Sequence, residues 1–246
     1  YWSRKGLFTM PTHFPNGVSN QVKGNPLFNY PYMDPFKYYM YHDECFEFHS
    51  GIYTITTVEL GTGSATEVIT SGAGGQLLLT NAAGDDDLDF LQLKGESFLW
   101  DSTKRMFFTS RFKTNDATQS EIVMGLQITD TTPLDVTDGI YFFKSDGDTQ
   151  PDFVVEKDND FGISILEMNA MADDTFVTLS FEYDPLDVAT GGPVFRAYQD
   201  GVKVGQIAST TNAPDDEELT ISFGIQNGEA VAKTMTIDFL MAAVER

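Results

Sequence analysis

Two carboxylates on one strand face, two residues apart, would suffice for general acid and nucleophile chemistry on a glycoside. The spacing Glu-x-Asp-x-x-Glu places them so, because side chains on a strand return to the same face every second residue. The chain holds 37 Asp and Glu, yet that string is absent. Glu121 stands alone on its strand candidate, and Glu182 and Asp184 run into Pro185, which is expected to end theirs. No catalytic residues are assigned, and a non-enzymatic protein is expected. The three histidines, His13, His42 and His49, do not form a spacing that zinc would use. No G-x-S-x-G string accompanies them. Gly72 to Gly75 precedes a strand candidate and lacks the lysine of a phosphate loop.

Calcium is the cation the loops could hold, since it is bound by oxygens from flexible acidic segments. The candidate ligands are Asp158 with Asp160, or Asp85, Asp86 and Asp87 with Asp89; Asp130, Asp135, Asp138, Asp146 and Asp148 are further loop acids. Asp158-Asn159-Asp160-Phe161-Gly162 shares two acids and a glycine with the start of an EF-hand, without its register or distal Glu. Loop aspartates also serve as turn formers and solubilising charge, and no other cofactor is expected. Trp100, Tyr141, Tyr183 and Tyr198 are the body aromatics that could stack on a sugar ring, although strand aromatics usually bury.

The elements that must position these residues are strands. Between Phe176 and Ile207, Val177, Leu179, Phe181 and Tyr183 alternate with Thr178, Ser180 and Glu182, a period of two. A turn-rich run, Asp184 to Pro193, leads to a second extended run, Val194 to Gln199. Asp200-Gly201 then separates it from Val202 and Val204. Asp-Gly between apolar runs is a strong hairpin signal. Glu44–His49, Ile52–Glu59, Arg105–Lys113, Glu121–Thr129, Leu219–Ile225 and Met235–Met241 are among the other strand candidates. One helical turn is expected within Met168–Asp174. Roughly a dozen strands at 8–12-residue spacing predict an all-β fold, an antiparallel sandwich or barrel, and the likeness of one hairpin to those of known jelly rolls implies an antiparallel jelly-roll β-sandwich. The Phe176–Ile207 pattern resembles the late hairpin of concanavalin-like and laminin-G-like jelly rolls.

Residues 1–41 have a different character. Five of the ten prolines fall there, among eleven aromatics. Proline keeps such a segment out of central strands, and its apolar content exceeds that of a disordered tail. The division expected is an extended N-terminal arm, 1–41, and a sandwich, 42–246. The net charge is −22. Residues 1–42 carry a net +3, from Arg4, Lys5, Lys23 and Lys37 against Asp34, so the other 204 carry −25. An acidic body repels nucleic acid and anionic membranes, and no run of about 18 apolar residues suggests a spanning helix. No signal-peptide pattern is evident. The partner-binding residues expected on the arm are Trp2, Arg4, Lys5, Phe8, Phe14, Lys23, Phe28, Tyr30, Tyr32 and Phe36. Cys45, the single cysteine, is expected to be a small buried apolar residue.

Three segments resemble a structural protein of tailed bacteriophages: YMYHDECFEFHSGIYTITTVELGTGSATEVITSGAGGQLLLTNAAGDDDLDFLQLKGESF, RFKTNDATQSEIVMGLQITDTTPL and LTISFGIQNGEAVAKTMTIDFLMAAVER. The resemblance covers about residues 38–246 and rests on strand texture rather than a catalytic motif. It implies a virion component with a jelly-roll fold on the capsid exterior, made in the host cytoplasm. Such a protein would decorate or cement the capsid, binding the major capsid protein and neighbouring copies, as a homotrimer, through its arm. The alternatives are a carbohydrate-binding, lectin-like module of a tail fibre or spike, and a polysaccharide-degrading enzyme. The last would need two carboxylates about 5–10 Å apart in a cleft.

Overall fold

The computed structural model describes residues 36–187 and 189–246. Sixteen strands lie among them: β1 (Tyr38–Asp43), β2 (Tyr53–Val58), β3 (Thr66–Thr70), β4 (Gln76–Thr80), β5 (Leu88–Leu93), β6 (Phe98–Leu99), β7 (Met106–Thr114) and β8 (Ser120–Gln127) come first. Then follow β9 (Gly139–Lys144), β10 (Asp152–Lys157), β11 (Asp160–Ile165), β12 (Val177–Asp187), β13 (Gly192–Gln199), β14 (Val202–Ile207), β15 (Glu218–Asn227) and β16 (Thr234–Glu245).

Two sheets of eight strands form, with every pairing antiparallel. The first has the order β14-β13-β12-β7-β16-β4-β3, with β1 also on β16; the second runs β11-β10-β9-β8-β15-β5-β2, with β6 also on β15. Sequence-distant strands lie side by side at the centre of each sheet, β7 beside β16 and β8 beside β15, as a jelly roll requires. The expected sandwich is therefore present.

The period-two alternation does the folding work. On β7, Met106, Phe108, Ser110, Phe112 and Thr114 are buried and the residues between them half-buried. β12 repeats this from Val177 to Tyr183. Their apolar faces meet those of the second sheet in one aromatic core. Phe108 stacks on Phe181 (5.6 Å between ring centres), Phe181 meets Phe153 (5.4 Å), and Tyr183 meets Phe195 (4.6 Å) and Trp100 (5.2 Å). Asp200 and Gly201 both have positive φ (52° and 76°), as a type I′ hairpin turn requires. Cys45 is buried beneath β4 and the turn before it, where its backbone carbonyl lies close to Gly75.

Several local expectations fail for physical reasons. Glu44–His49 is not a strand: Cys45 takes positive φ (52°), and the Asp43 carboxylate accepts its N–H (2.7 Å), which turns the chain. The first strand among the described residues is instead β1, whose pairing with β16 brings Tyr38–Asp43 into the first sheet. Met168–Asp174 holds no helical turn; the 3-10 turn found is Ser50–Ile52. β12 continues through Pro185 because Pro185 and Leu186 fall in a bulge between the pairs Asp184–Val194 and Asp187–Gly192, where no ladder N–H is needed.

The second sheet is buried on both faces over much of its area. Leu88, Phe90, Val123, Val136, Tyr141 and Val154 form a second apolar cluster on the side away from the main core. The 128–138 loop lies over it, bringing Leu134 and Val136. Gln92 holds this loop by donating to the Ile128 carbonyl (2.9 Å) and accepting the Asp130 N–H (3.0 Å); Gln127 donates to the Pro133 carbonyl (3.0 Å).

Candidate functional site

At the β11 edge of the second sheet, an open depression of about 360 Å³ is lined by Lys157, Asp158, Asp160, Thr210, Asn212, Ala213 and Asp215. The β10–β11 hairpin builds one wall. Its turn residues Asp158 and Asn159 both have positive φ (55° and 57°), a conformation Asp and Asn tolerate better than most side chains. The Asp158 N–H donates to Asp138 (3.0 Å) and the Asn159 N–H to the Thr137 carbonyl (2.9 Å), which docks the turn on the 128–138 loop. Lys157 spans to the other wall, donating to Asp215 (2.6 Å) and Asp216 (2.9 Å). Those bonds raise the Lys157 ammonium above its usual range and hold Asp215 below the usual carboxylate range.

Glu156, which precedes Lys157 on β10, is in a buried pair: the Tyr141 hydroxyl donates to it (2.7 Å). Burial raises the Glu156 carboxyl, the Tyr141 bond partly opposes this, and Asp135, Asp138 and Asp160 add to the rise. The depression thus offers carboxylate acceptors from Asp158, Asp160 and Asp215, with donors from Lys157 and Asn212. That set suits the hydroxyls of a neutral polar ligand.

Of the expected calcium ligands, Asp158 and Asp160 line this depression, while Asp85, Asp86 and Asp87 stand elsewhere. Asp85 and Asp86 are exposed. Asp87 is fully buried, with both carboxylate oxygens accepting backbone N–H groups of Leu60, Gly61 and Gly84. It is a loop staple rather than an open ligand. Among the described residues, no three His, Cys, Asp or Glu gather in a metal-holding cluster. Other loop acids cap turns: Asp130 accepts from the N–H and hydroxyl of Thr132, and Asp148 from the N–H groups of Thr149 and Gln150.

Glu121 belongs to the second sheet, whereas Glu182 and Asp184 share the outer face of β12 in the first, two residues apart. Glu121 is half-buried and raised by burial, which a hydrogen bond from the Asp146 backbone partly opposes, and is followed on its strand face by Val123, Gly125 and Gln127. Glu182, on the outer face of the first sheet, accepts from Arg196 (2.6 Å) and Tyr198 (2.8 Å); Asp184 pairs with Arg105 (3.4 Å). His42 and His49 pair with Glu44 and Glu47 at the surface. Trp100, Tyr141 and Tyr183 are buried, and Tyr198 is half-buried. Of the expected arm residues, Trp2, Arg4, Lys5, Phe8, Phe14, Lys23, Phe28, Tyr30 and Tyr32 lie outside the described residues; Phe36 is 91% exposed. The depression itself was detectable in sequence only through the Asp158–Asp160 turn, because the 208–216 segment that completes it has no distinguishing motif.

No family model matches the chain, and no curated protein matches it significantly. Solved structures do. An endo-1,3-beta-glucanase from Streptomyces sioyaensis superposes with a TM-score of 0.59 at 12% identity, covering 86% of this chain and 98% of its own. The Emp47p carbohydrate recognition domain gives 0.56 at 15% identity, covering 86% and 98%. A protein of unknown function from Shewanella oneidensis MR-1 gives 0.55 at 13% identity, covering 93% and 96%. At these identities the likeness is one of fold, and it establishes a concanavalin- and legume-lectin-like jelly roll.

Proposed function

We propose that this chain is a non-catalytic, lectin-like carbohydrate-binding module. The observation that carries the proposal is the polar depression at the β11 edge, with carboxylate, amide and ammonium groups set on two walls that the hairpin turn and the Lys157 ion pairs hold in place. Hydroxyl-rich ligands are recognised by such convergent donors and acceptors. The likeness in fold to the Emp47p carbohydrate recognition domain supports it by analogy. The test is a glycan array followed by calorimetry on the best hit. Asp158→Asn combined with Asp160→Asn should weaken binding at least tenfold with the fold intact. Binding unchanged by that pair would overturn the assignment of the depression.

The charge division favours a second reading. Residues 1–42 carry +3 against −25 on the rest, and the basic end is rich in aromatics. An arm of that composition on an acidic body suits anchorage to another protein, with the body facing solvent and resisting self-association. In this reading the chain clads a phage capsid from outside, its arm on the major capsid protein and its bodies packed as a trimer. Removing residues 1–35 should abolish capsid occupancy while leaving a folded sandwich. Full occupancy by the shortened chain would sink the idea.

A further inference from the structure

Asp89 lies on β5, two residues before Leu91, with its side chain toward the sandwich interior. It is 0% exposed, and neither carboxylate oxygen has a hydrogen-bond donor. Glu67 reaches it from β3, the edge strand of the opposite sheet, where it pairs in register with the core residue Leu79. Glu59, just past β2, adds a third negative charge. Asn81 follows β4. Its amide nitrogen donates to the carbonyls of Asp87 (2.9 Å) and of Ile225 (3.0 Å), the residue opposite Asp89 on β15. Its Oδ1 is buried and likewise without a donor. The Lys233 ammonium, at the neighbouring start of β16, is committed to Asp116 (2.7 Å) and Glu229 (2.6 Å). Burial, then repulsion from Glu67, raises the Asp89 carboxyl well above the usual carboxylate range.

Buried charge is normally paired or coordinates a metal. We propose that Asp89 and Glu67, joined by the Asn81 amide oxygen as a third ligand, bind a calcium ion that clamps edge strand β3 of the first sheet to β5 of the second. The donor atoms are all oxygens, which selects a hard cation, and two carboxylates balance its two charges. Calcium accepts irregular shells of six to eight oxygens, including water, whereas magnesium demands near-ideal octahedral geometry. Glu67 is half-buried on an edge strand, so water can complete the shell and the ion can enter. With two acidic ligands the site is weak, with a Kd on the order of 10⁻⁴ to 10⁻³ M. It lies at the β2–β5 edge of the second sheet, opposite the β11 edge that bears the depression, and does not depend on carbohydrate binding.

The full chain, stripped with EGTA, is titrated with calcium chloride at pH 7 while heat of binding and Tm are followed. A saturable site and a rise in Tm are expected. Asp89→Asn and Glu67→Gln should each weaken binding at least tenfold, while Asp85→Asn with Asp86→Asn leaves it intact. If Asp89→Asn fails to fold, Glu67→Gln on the edge strand carries the test. No saturable binding by the wild-type chain overturns the proposal. Binding that persists unchanged in Glu67→Gln also overturns it, since the ion would then sit on the acidic surface. So does an infrared band of a protonated carboxyl that calcium does not remove, because a shared proton would then hold the pair.

Discussion

The Asp87 carboxylate accepts three backbone N–H groups from two loops, those of Leu60, Gly61 and Gly84. Burial opposes its ionisation, but the three bonds outweigh burial and hold the carboxyl below its usual range. A group depressed in the folded state contributes stability that is present above its unfolded pKa of about 4 and lost as pH falls through the folded value. Asp87→Asn leaves at least one buried donor unsatisfied and should cost about 2 kcal/mol near neutral pH. Denaturant melts from pH 7 down to 3 should show the difference between variant and wild type shrinking on the acid side. An equal difference at every pH would count against this role. Sequence placed Asp87 in a run of three aspartates with no sign that it differs from Asp85 and Asp86. What distinguishes it is the approach of a loop 26 or 27 residues away, and a local pattern contains no such information.

At the scale of strands, β8 packs against its neighbours more tightly than alternation suggests. A Cβ added to Gly125 would lie 2.5 Å from the Cα of Tyr141, its partner on β9, and 2.7 Å from the Ile140 carbonyl. Gly125→Ala should therefore force the two strands apart and destabilise by about 1–3 kcal/mol, the usual range for overpacking. Urea melts would check this; a neutral result would mean that β9 can shift. Strand existence was largely legible, because apolar residues at period two appear in β7, β8, β12, β15 and β16 alike. The missing pieces share one cause. Val123 and Tyr141 stand on the face that alternation assigns to solvent, yet the 128–138 loop covers them. β1 was hidden because Tyr38 to Tyr41 are all aromatic or Met and show no alternation; pairing with β16 decides their structure. Burial by a loop and pairing across some 200 residues are tertiary facts.

Over the whole molecule, the sandwich could be anticipated because many weak strand signals agree, and a fold is specified when local choices point the same way. Of each candidate site only one side could, Asp158 and Asp160 of the depression and Asp89 of the buried pair, because each joins segments distant in sequence: β10–β11 with the 208–216 segment, and β5 with β3. No helix among the described residues is long and apolar enough to cross a membrane. Cys45 gives the architecture an experimental handle. It is 2% exposed, and burial, followed by the charge of Asp43, pushes its thiol up to about 12. Thiolate is the reactive form, so the folded chain should resist a thiol-reactive dye at pH 8, and one equivalent should react on denaturation. Prompt labelling of the native chain would contradict the burial. The chain therefore contains its own clock: under native conditions the slow labelling rate reports how often the β1–β4 corner opens, and a second cysteine placed anywhere on the surface could carry a fluorophore without competition from the first.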